Sequence, residues 1–338
     1  MVGGEVSETA VRPKIGARHC HRPGRHCGSS AIRDLLEFHG LVMSEACCFG
    51  LGAGLGITYV ETAASNTPFI VHVRSMEFEE KVFNTLDVPF SWRSYRDQRS
   101  ANTDLKRVLN ENRPALLLTD IFHLPYFQSS THFAGHAIVA WLYDEERDEV
   151  LVSDTERPGL IAVSTADLAD ARFSTAPPFI HNGNLFAPEA IKASVTPERI
   201  RRAIFDNAYA LANGDRFSGL AALDTWIDRL SHWAADENWR WSLRFAYQVI
   251  EKRGTGGAGF RTLYADFLEE ASARLTVVRD AKLVELMRGA AAAWSGLAAV
   301  LKMASEATTF PSADIELAIN RVKSHESRYV KCALDALG

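Results

Sequence analysis

The chain is poor in cysteine, with only Cys20, Cys27, Cys47, Cys48 and Cys332 among 338 residues. The odd count and the lack of regular spacing exclude a disulfide framework and predict free thiols in a reducing compartment. Long hydrophobic runs are missing too. No apolar stretch approaches the roughly 20 residues of a membrane span, and the N-terminus lacks the apolar segment of a signal peptide, so a cytoplasmic protein without a membrane partner is expected. Basic residues are in deficit, 37 Lys and Arg against 42 Asp and Glu for a formal charge of -5, which argues against a nucleic-acid partner. The glycine-rich stretch Phe49 to Ile57 has neither the Gly-Lys-Ser/Thr of a phosphate loop nor the preceding strand of a dinucleotide fingerprint. Its glycines imply close packing of backbone against another element.

What is present is the composition of a globular protein, 47% hydrophobic and 23% charged, in a chain long enough for two domains. The most informative stretch is RHCGSSAIRDLLEFHG, Arg25 to Gly40. Ile32, Leu35, Leu36 and His39 share one helical face, Ser29 or Ser30 is the candidate N-cap, and Gly40 is the stop. Cys27 therefore falls at a helix N-terminus, where unpaired amides and the macrodipole favour thiolate. A thiol so placed is a candidate nucleophile in need of a histidine.

That histidine is expected further on. HFAGHAIVAWLYDEERDEVLVSDTERPG reads as a strand from His136 to Tyr143, a charged turn, and a return strand from Val150 to Asp154. In an antiparallel hairpin the start of the first strand lies near the end of the second, so His136 and Asp154 should be neighbours, a base and its orienting carboxylate. His123 and His132 compete for the role, but both fall in the irregular stretch before the strand and lack a carboxylate placed as Asp154 is. The opposing account makes Cys27 a buried thiol and His136 an ordinary strand-end histidine. Cys47, Cys48 and Cys332 read as small buried hydrophobes. The crowding of His19, Cys20, His21, His26 and Cys27 among Arg18, Arg22 and Arg25 suggests a zinc site or an anion-receiving surface, but the spacing is not that of a structural zinc site, and no metal is assigned.

Between these segments, helices are predicted from Ser44 and Glu45, over Phe78 to Leu86, and over Asp104 to Asn110 with Asn102 or Thr103 as cap. Strands are predicted over Phe69 to Val73 and in ALLLTD after Pro114. Beyond Asp170 the pattern changes. Thr196 and Pro197 open a helix as N-cap and first residue, with Ile200, Ala203, Ile204, Ala208 and Leu211 on one face and Gly214 closing it. Helical patterns follow over Leu220 to Leu230, Trp239 to Ile250, Phe260 to Ala273, Ala281 to Lys302 and Ile315 to Leu337. Trp226, Trp233, Trp239 and Trp241 read as core. The expected organisation is a disordered lead-in (1–16), a first domain (17–172), a linker (173–195) and an all-helical domain (196–338), an α+β protein overall.

The motifs HCGSSAIRDLLEFHG, SEACCFGLGAGLG, TDIFHLPY and GHAIVAWLYD with VLVSD together resemble the N-terminal domain of the butirosin-biosynthesis acyltransferase family, itself similar to papain-like cysteine peptidases. The resemblance spans about Arg18 to Asp170, and EKRGTGGAGFRTLYADFLEEA extends it into the family's companion helical domain. It implies a papain-like first domain, with Cys27 as nucleophile, His136 as base and Asp154 as orienter. It also implies acyl transfer from the phosphopantetheine thioester of an acyl carrier protein to a small-molecule amine, in natural-product biosynthesis and without a bound cofactor. Papain-like enzymes usually carry an oxyanion-stabilising glutamine a few residues before the nucleophile. His21 stands there instead, so His21, or the Cys27 amide with another group such as Gly28, is the candidate donor. In the helical domain Gly256, Gly257 and Arg261 are candidate substrate or pantetheine-phosphate contacts, against the alternative of a plain glycine-rich helix connector. Two other functions fit the same letters: a cysteine hydrolase (peptidase, amidase or thioesterase) using the same three residues, and a non-catalytic zinc-binding or scaffold protein. A homo-oligomer is compatible with either.

Overall fold

A computed structural model describes residues 19–62, 68–176 and 180–338. The expected lead-in, Arg18, and Pro177 to Phe179 of the expected linker lie outside them. In chain order the elements are α1 (Cys27–Phe38), α2 (Glu45–Leu51), β1 (Leu55–Glu61), β2 (Phe69–Arg74), α3 (Phe78–Thr85), α4 (Gln98–Asn110), β3 (Ala115–Thr119), β4 (His136–Asp144), β5 (Glu149–Ser153), β6 (Ile161–Ser164), α5 (Thr165–Arg172) and β7 (Leu185–Phe186). Helices α6 (Pro197–Ala212), α7 (Ala221–Asp228), α8 (Leu230–Ala235), α9 (Trp239–Glu251), α10 (Arg261–Ser272), α11 (Thr276–Asp280), α12 (Leu283–Ala304) and α13 (Ser312–Leu337) complete the chain. The fold is α+β, as expected, with a sheet domain followed by a helical region.

Two compact units form. One comprises Ser91–Ile191 together with the described residues up to Val42; the other comprises Met43–Phe90 and Lys192–Gly338. This grouping differs from the linear division read from the sequence. Residues 43–90, assigned there to the first domain, associate with the C-terminal helices, and much of the expected linker belongs to the sheet unit. Hydrophobic periodicity reports which face of an element is buried but not against what, so the partner had to come from the fold.

The first unit is built on an antiparallel five-stranded sheet of order β6-β5-β4-β3-β7. Its edge strand β7 comes from the expected linker, Leu116 and Leu117 of β3 facing Phe186 and Leu185. Helix α1 packs on β3 and β4, while α4 and α5 also pack on the sheet. Ile32, Leu35 and Leu36 of α1 are fully buried, each contributing about 1.5–3 kcal/mol through its side chain. One core layer joins Leu105, Val108 and Leu109 of α4 to Leu117, Ile138, Ala140, Val150 and Val152 of the strands and Leu168 of α5. Helix α4 starts at Gln98 rather than Asp104 because Asp97, not Asn102 or Thr103, caps it, its carboxylate accepting from Ser100 N at 2.7 Å.

In the second unit β1 and β2 form a hairpin beside α6, α7 and α9. Ser44 caps α2 as predicted, accepting from Cys47 N at 2.8 Å. The glycines of Phe49 to Ile57 do serve close packing: a Cβ at Gly50 would collide with the Phe267 ring, and one at Gly56 with the Arg74 carbonyl. Thr196 and Pro197 open α6 as predicted, Ile200, Ala203, Ile204, Ala208 and Leu211 are buried, and Asn213 rather than Gly214 ends the helix. The pattern over Leu220 to Leu230 splits into α7 and α8 at Arg229. Trp226, Trp233 and Trp239 are core, whereas Trp241 is exposed. Cys47 and Cys48 are buried, and burial pushes the Cys47 thiol up to about 12; Cys332 is only half-buried. Against the expectation that no apolar stretch approaches a membrane span, helix α12, 22 residues long, reaches that length and mean hydropathy; it packs against α9, α10 and α13.

Candidate functional site

Cys27 is the first residue of α1, which starts three residues earlier than a Ser29 cap would place it. The cap is His26, whose Nδ1 accepts from Ser29 N at 3.1 Å. Ser29 and Ser30, the expected caps, lie inside the first turn, and Ser30 Oγ donates back to the His26 carbonyl at 2.8 Å. The N–H groups of Cys27 and Gly28 hold the first two helical positions, so the positive end of the macrodipole lies at the thiol. Gly24 N donates to Thr155 O at 2.6 Å, which ties the approach to α1 to the residue after Asp154.

His136 opens β4 and Asp154 follows β5. The His136 Nε2–H points at both Asp154 oxygens, 2.9 Å from Oδ1 and 2.8 Å from Oδ2. A second hydrogen bond joins His136 to the Cys27 thiol, and with Nε2 committed to Asp154 the ring offers Nδ1 for it. Burial alone would lower the His136 pKa; the Asp154 carboxylate, its hydrogen bond and the contact with Cys27 outweigh burial and raise it. For Asp154 burial acts upward, but His136, the Tyr126 hydroxyl and the Thr155 amide hold the carboxyl below its usual range. The arrangement favours a proton on His136 and negative charge on Asp154.

The meeting of His136 and Asp154 depends on a β-bulge. Near the turn Tyr143 pairs with Val150 and Leu142 with Leu151, but beyond the shift Ala140 pairs with Val152 and Val139 with Ser153. Continued without the shift, the first register would set Asp154 opposite Val139, whose side chain leaves the face opposite to that of His136. The extra residue, Trp141, restores the parity and is pinned by Nε1 donating to Ser153 Oγ at 2.8 Å.

Two neighbours were not foreseen as site residues. Tyr126 OH donates to Asp154 Oδ2 at 2.6 Å, and the Phe127 ring lies edge-on to His136 with centroids 5.1 Å apart. Both stand in the loop between β3 and β4, and the signal for Tyr126 was the TDIFHLPY motif itself.

The remaining candidates are placed elsewhere or are already engaged. His21 donates from Nδ1 to Asp34 Oδ2 and from Nε2 to the Arg157 carbonyl, each at 2.6 Å. Burial would lower its pKa, but these two acceptors raise it. Both N–H groups are spent fastening α1 to the loop after β5, which leaves none for an oxyanion. Arg261 lies in the second unit, fully buried. It donates to Glu326 Oε1 at 2.6 Å, to Val73 O at 3.0 Å and to Gly259 O at 2.7 Å, and its guanidinium lies over the Trp294 ring. It closes a core rather than facing a ligand. Gly256 and Gly257 take φ of 65° and 87° in the turn between α9 and α10, and Gly257 N donates to Thr255 Oγ1 at 3.1 Å, the behaviour of a helix connector. The crowded histidines before Cys27 do not converge: the His21 and His26 rings are engaged as above, and His19 lies by Trp141. His132, however, does have a carboxylate partner, Asp120 Oδ2 at 2.7 Å from Nδ1. A cavity of about 450 Å³ lined by Ser75, Lys81, Arg202 and Asp206 belongs to the second unit and includes none of Cys27, His136 or Asp154.

With the geometry in place, comparison with known families is decisive for residues 26–155, which match the family described as butirosin biosynthesis protein H, N-terminal. This segment of the chain carries that family's N-terminal domain. The match begins at the cap of α1 and ends one residue past Asp154, so it encloses Cys27, His136, Asp154 and Tyr126. Residues 166–332 match a domain of unknown function, DUF4872, which begins in α5 of the sheet unit and runs through most of α13. No curated protein matches the chain.

Proposed function

We propose that the protein is an acyltransferase of natural-product biosynthesis that moves an acyl group from the pantetheine thioester of an acyl carrier protein to an amine through acyl-Cys27. The observation that carries this reading is the hydrogen-bonded series Cys27, His136, Asp154 inside the family match. His136 takes the thiol proton, and Asp154 holds the imidazolium in orientation and balances its charge. The thiolate adds to the thioester carbonyl. Collapse of the tetrahedral intermediate breaks the carbon–sulfur bond to pantetheine, whose thiolate leaves with the proton from His136. In the second half the amine adds to acyl-Cys27, His136 accepts the amine proton, and collapse releases the amide and restores the Cys27 thiol. The oxyanion donors in this reading are the Cys27 and Gly28 amides at the α1 terminus, since His21 has none to offer.

Exposure of the protein to a panel of carrier-bound acyl thioesters, followed by intact mass, tests the reading. An acyl adduct in the wild type and none in Cys27→Ala is expected. Addition of candidate amines then separates transfer from hydrolysis: amide formed only with amine supports transfer, whereas free acid released at the same rate with and without amine indicates a hydrolase. Full transfer by Cys27→Ala would overturn the proposal.

A further inference from the structure

The loop between β3 and β4 holds a group of donor atoms that acyl transfer does not use. Asp120, the residue after β3, is fully buried, and its carboxylate is fixed on both oxygens. Oδ1 accepts from Phe122 N at 3.1 Å and Phe133 N at 2.9 Å, and Oδ2 accepts from Ser174 Oγ at 2.6 Å as well as from His132. His123 brings a second imidazole, so that one donor atom each from Asp120, His123 and His132 lies within 4.8 Å of the others. The Phe122 ring stacks on His132 at 4.1 Å and touches His123 edge-on at 5.1 Å, which holds both imidazoles on the loop. Among the described residues this is the one such gathering of three metal-ligating groups.

We propose that Asp120, His123 and His132 form a binding site for a divalent transition-metal ion. Two imidazoles and one carboxylate suit zinc, cobalt or iron(II) better than magnesium or calcium, which prefer all-oxygen shells. The three hydrogen bonds to Asp120 from Phe122, Phe133 and Ser174 are the outer contacts that orient a ligating carboxylate. The fourth, from His132 Nδ1–H, is the one the ion replaces: the ring changes tautomer, carrying its proton on Nε2, and the freed Nδ1 lone pair takes the metal. His132 is 44% exposed, which gives the ion a path and leaves room for water in its shell. The ion would tie residues 120, 123 and 132 together and so brace the loop that carries Tyr126 and Phe127 against Asp154 and His136. The site is argued from its own ligands and does not depend on acyl transfer.

Titration of the chelator-treated full-length protein with Co²⁺, followed by visible absorption and calorimetry, tests the site. One equivalent should bind with a ligand-field spectrum free of thiolate-to-cobalt charge transfer, and should raise the melting temperature. Cys27→Ala should bind equally well, which separates this site from the thiols and from the fate of the acyltransfer reading. His123→Ala and His132→Ala, which alter partly exposed side chains and should fold, should each weaken binding at least about 10-fold. Absence of stoichiometric binding, a thiolate charge-transfer band, or full binding retained in the His123→Ala/His132→Ala double variant would overturn the proposal.

Discussion

A buried pair of opposite charges in each unit, Arg261–Glu326 in the second and His136–Asp154 in the first, serves a different end. In the second unit Arg261 and Glu326 are completely enclosed, and the Arg261 guanidinium also donates to Val73 O and Gly259 O. The surroundings of this pair, Trp294 and backbone carbonyls, fix α10 and α13 against the β1–β2 hairpin. In the first unit His136 and Asp154 are nearly as buried, yet histidine can give up its proton and a partly exposed thiol sits on its other side. A buried pair beside a partly exposed thiol is placed for chemistry; one enclosed on every side by packing is architecture.

The contrast can be broken by substitution. Cys27→Ala should reduce acyl transfer by about 10³-fold or more while shifting stability by no more than about 1 kcal/mol, as read from adduct formation and denaturant melts. Glu326→Ala should do the reverse in kind. Stranding Arg261 in the core should cost about 3–5 kcal/mol of unfolding free energy, and a variant that lost activity with unchanged stability would show this pair to be more than structural. Asp154→Ala should lower kcat/KM by about 10²-fold. Because the carboxylate is what raises the His136 pKa, the alkaline limb of the pH profile should also move to lower pH; an unmoved limb would remove Asp154 from its assigned role.

Tyr126→Phe deletes one hydrogen bond to a charged group, worth about 1.5–3 kcal/mol at most, and should slow the reaction by about 10-fold with its pH profile displaced. Smallest is the dependence of stability on pH. His136 and His21 have raised pKa values, so their contribution is complete below the ordinary histidine value of 6.5 and fades as pH rises through the folded values. Asp154, whose pKa is lowered, contributes above its ordinary 3.8 and loses that contribution as pH falls through its folded value. Melts of Asp154→Ala across pH 5 to 9 should show a flatter alkaline decline than the wild type.

Local pattern carried a large part of this protein. The 3.6-residue spacing of Ile32, Leu35 and Leu36 placed α1 and put Cys27 at its start, and the alternation around ALLLTD and GHAIVAWLYD placed β3 and β4. Thr196 with Pro197 fixed the start of α6. These features are legible because helix periodicity, capping and strand alternation are properties of short segments. The choice of His26 over Ser29 as cap was not legible, since several residues near a helix start can accept from the same amide and the path of the chain selects among them.

Other features depended on residues distant in sequence. The sequence showed that His136 and Asp154 lie on adjoining strands, but the bulge at Trp141 decided that their side chains share a face, and nothing in the alternation of the two strands marks that extra residue. Tyr126 reaches Asp154 across 28 residues, and His132 found in Asp120 the carboxylate that its own neighbourhood lacks. Residues 43–90 read as part of the first domain until their buried faces met the C-terminal helices, Gly50 lying against Phe267. The sequence alone determined which elements carry Cys27, His136 and Asp154, because that is written in local periodicity. Only the tertiary structure decided which of them touch, because register, loop path and the partner of a buried face are set by contacts between segments that no local pattern encodes.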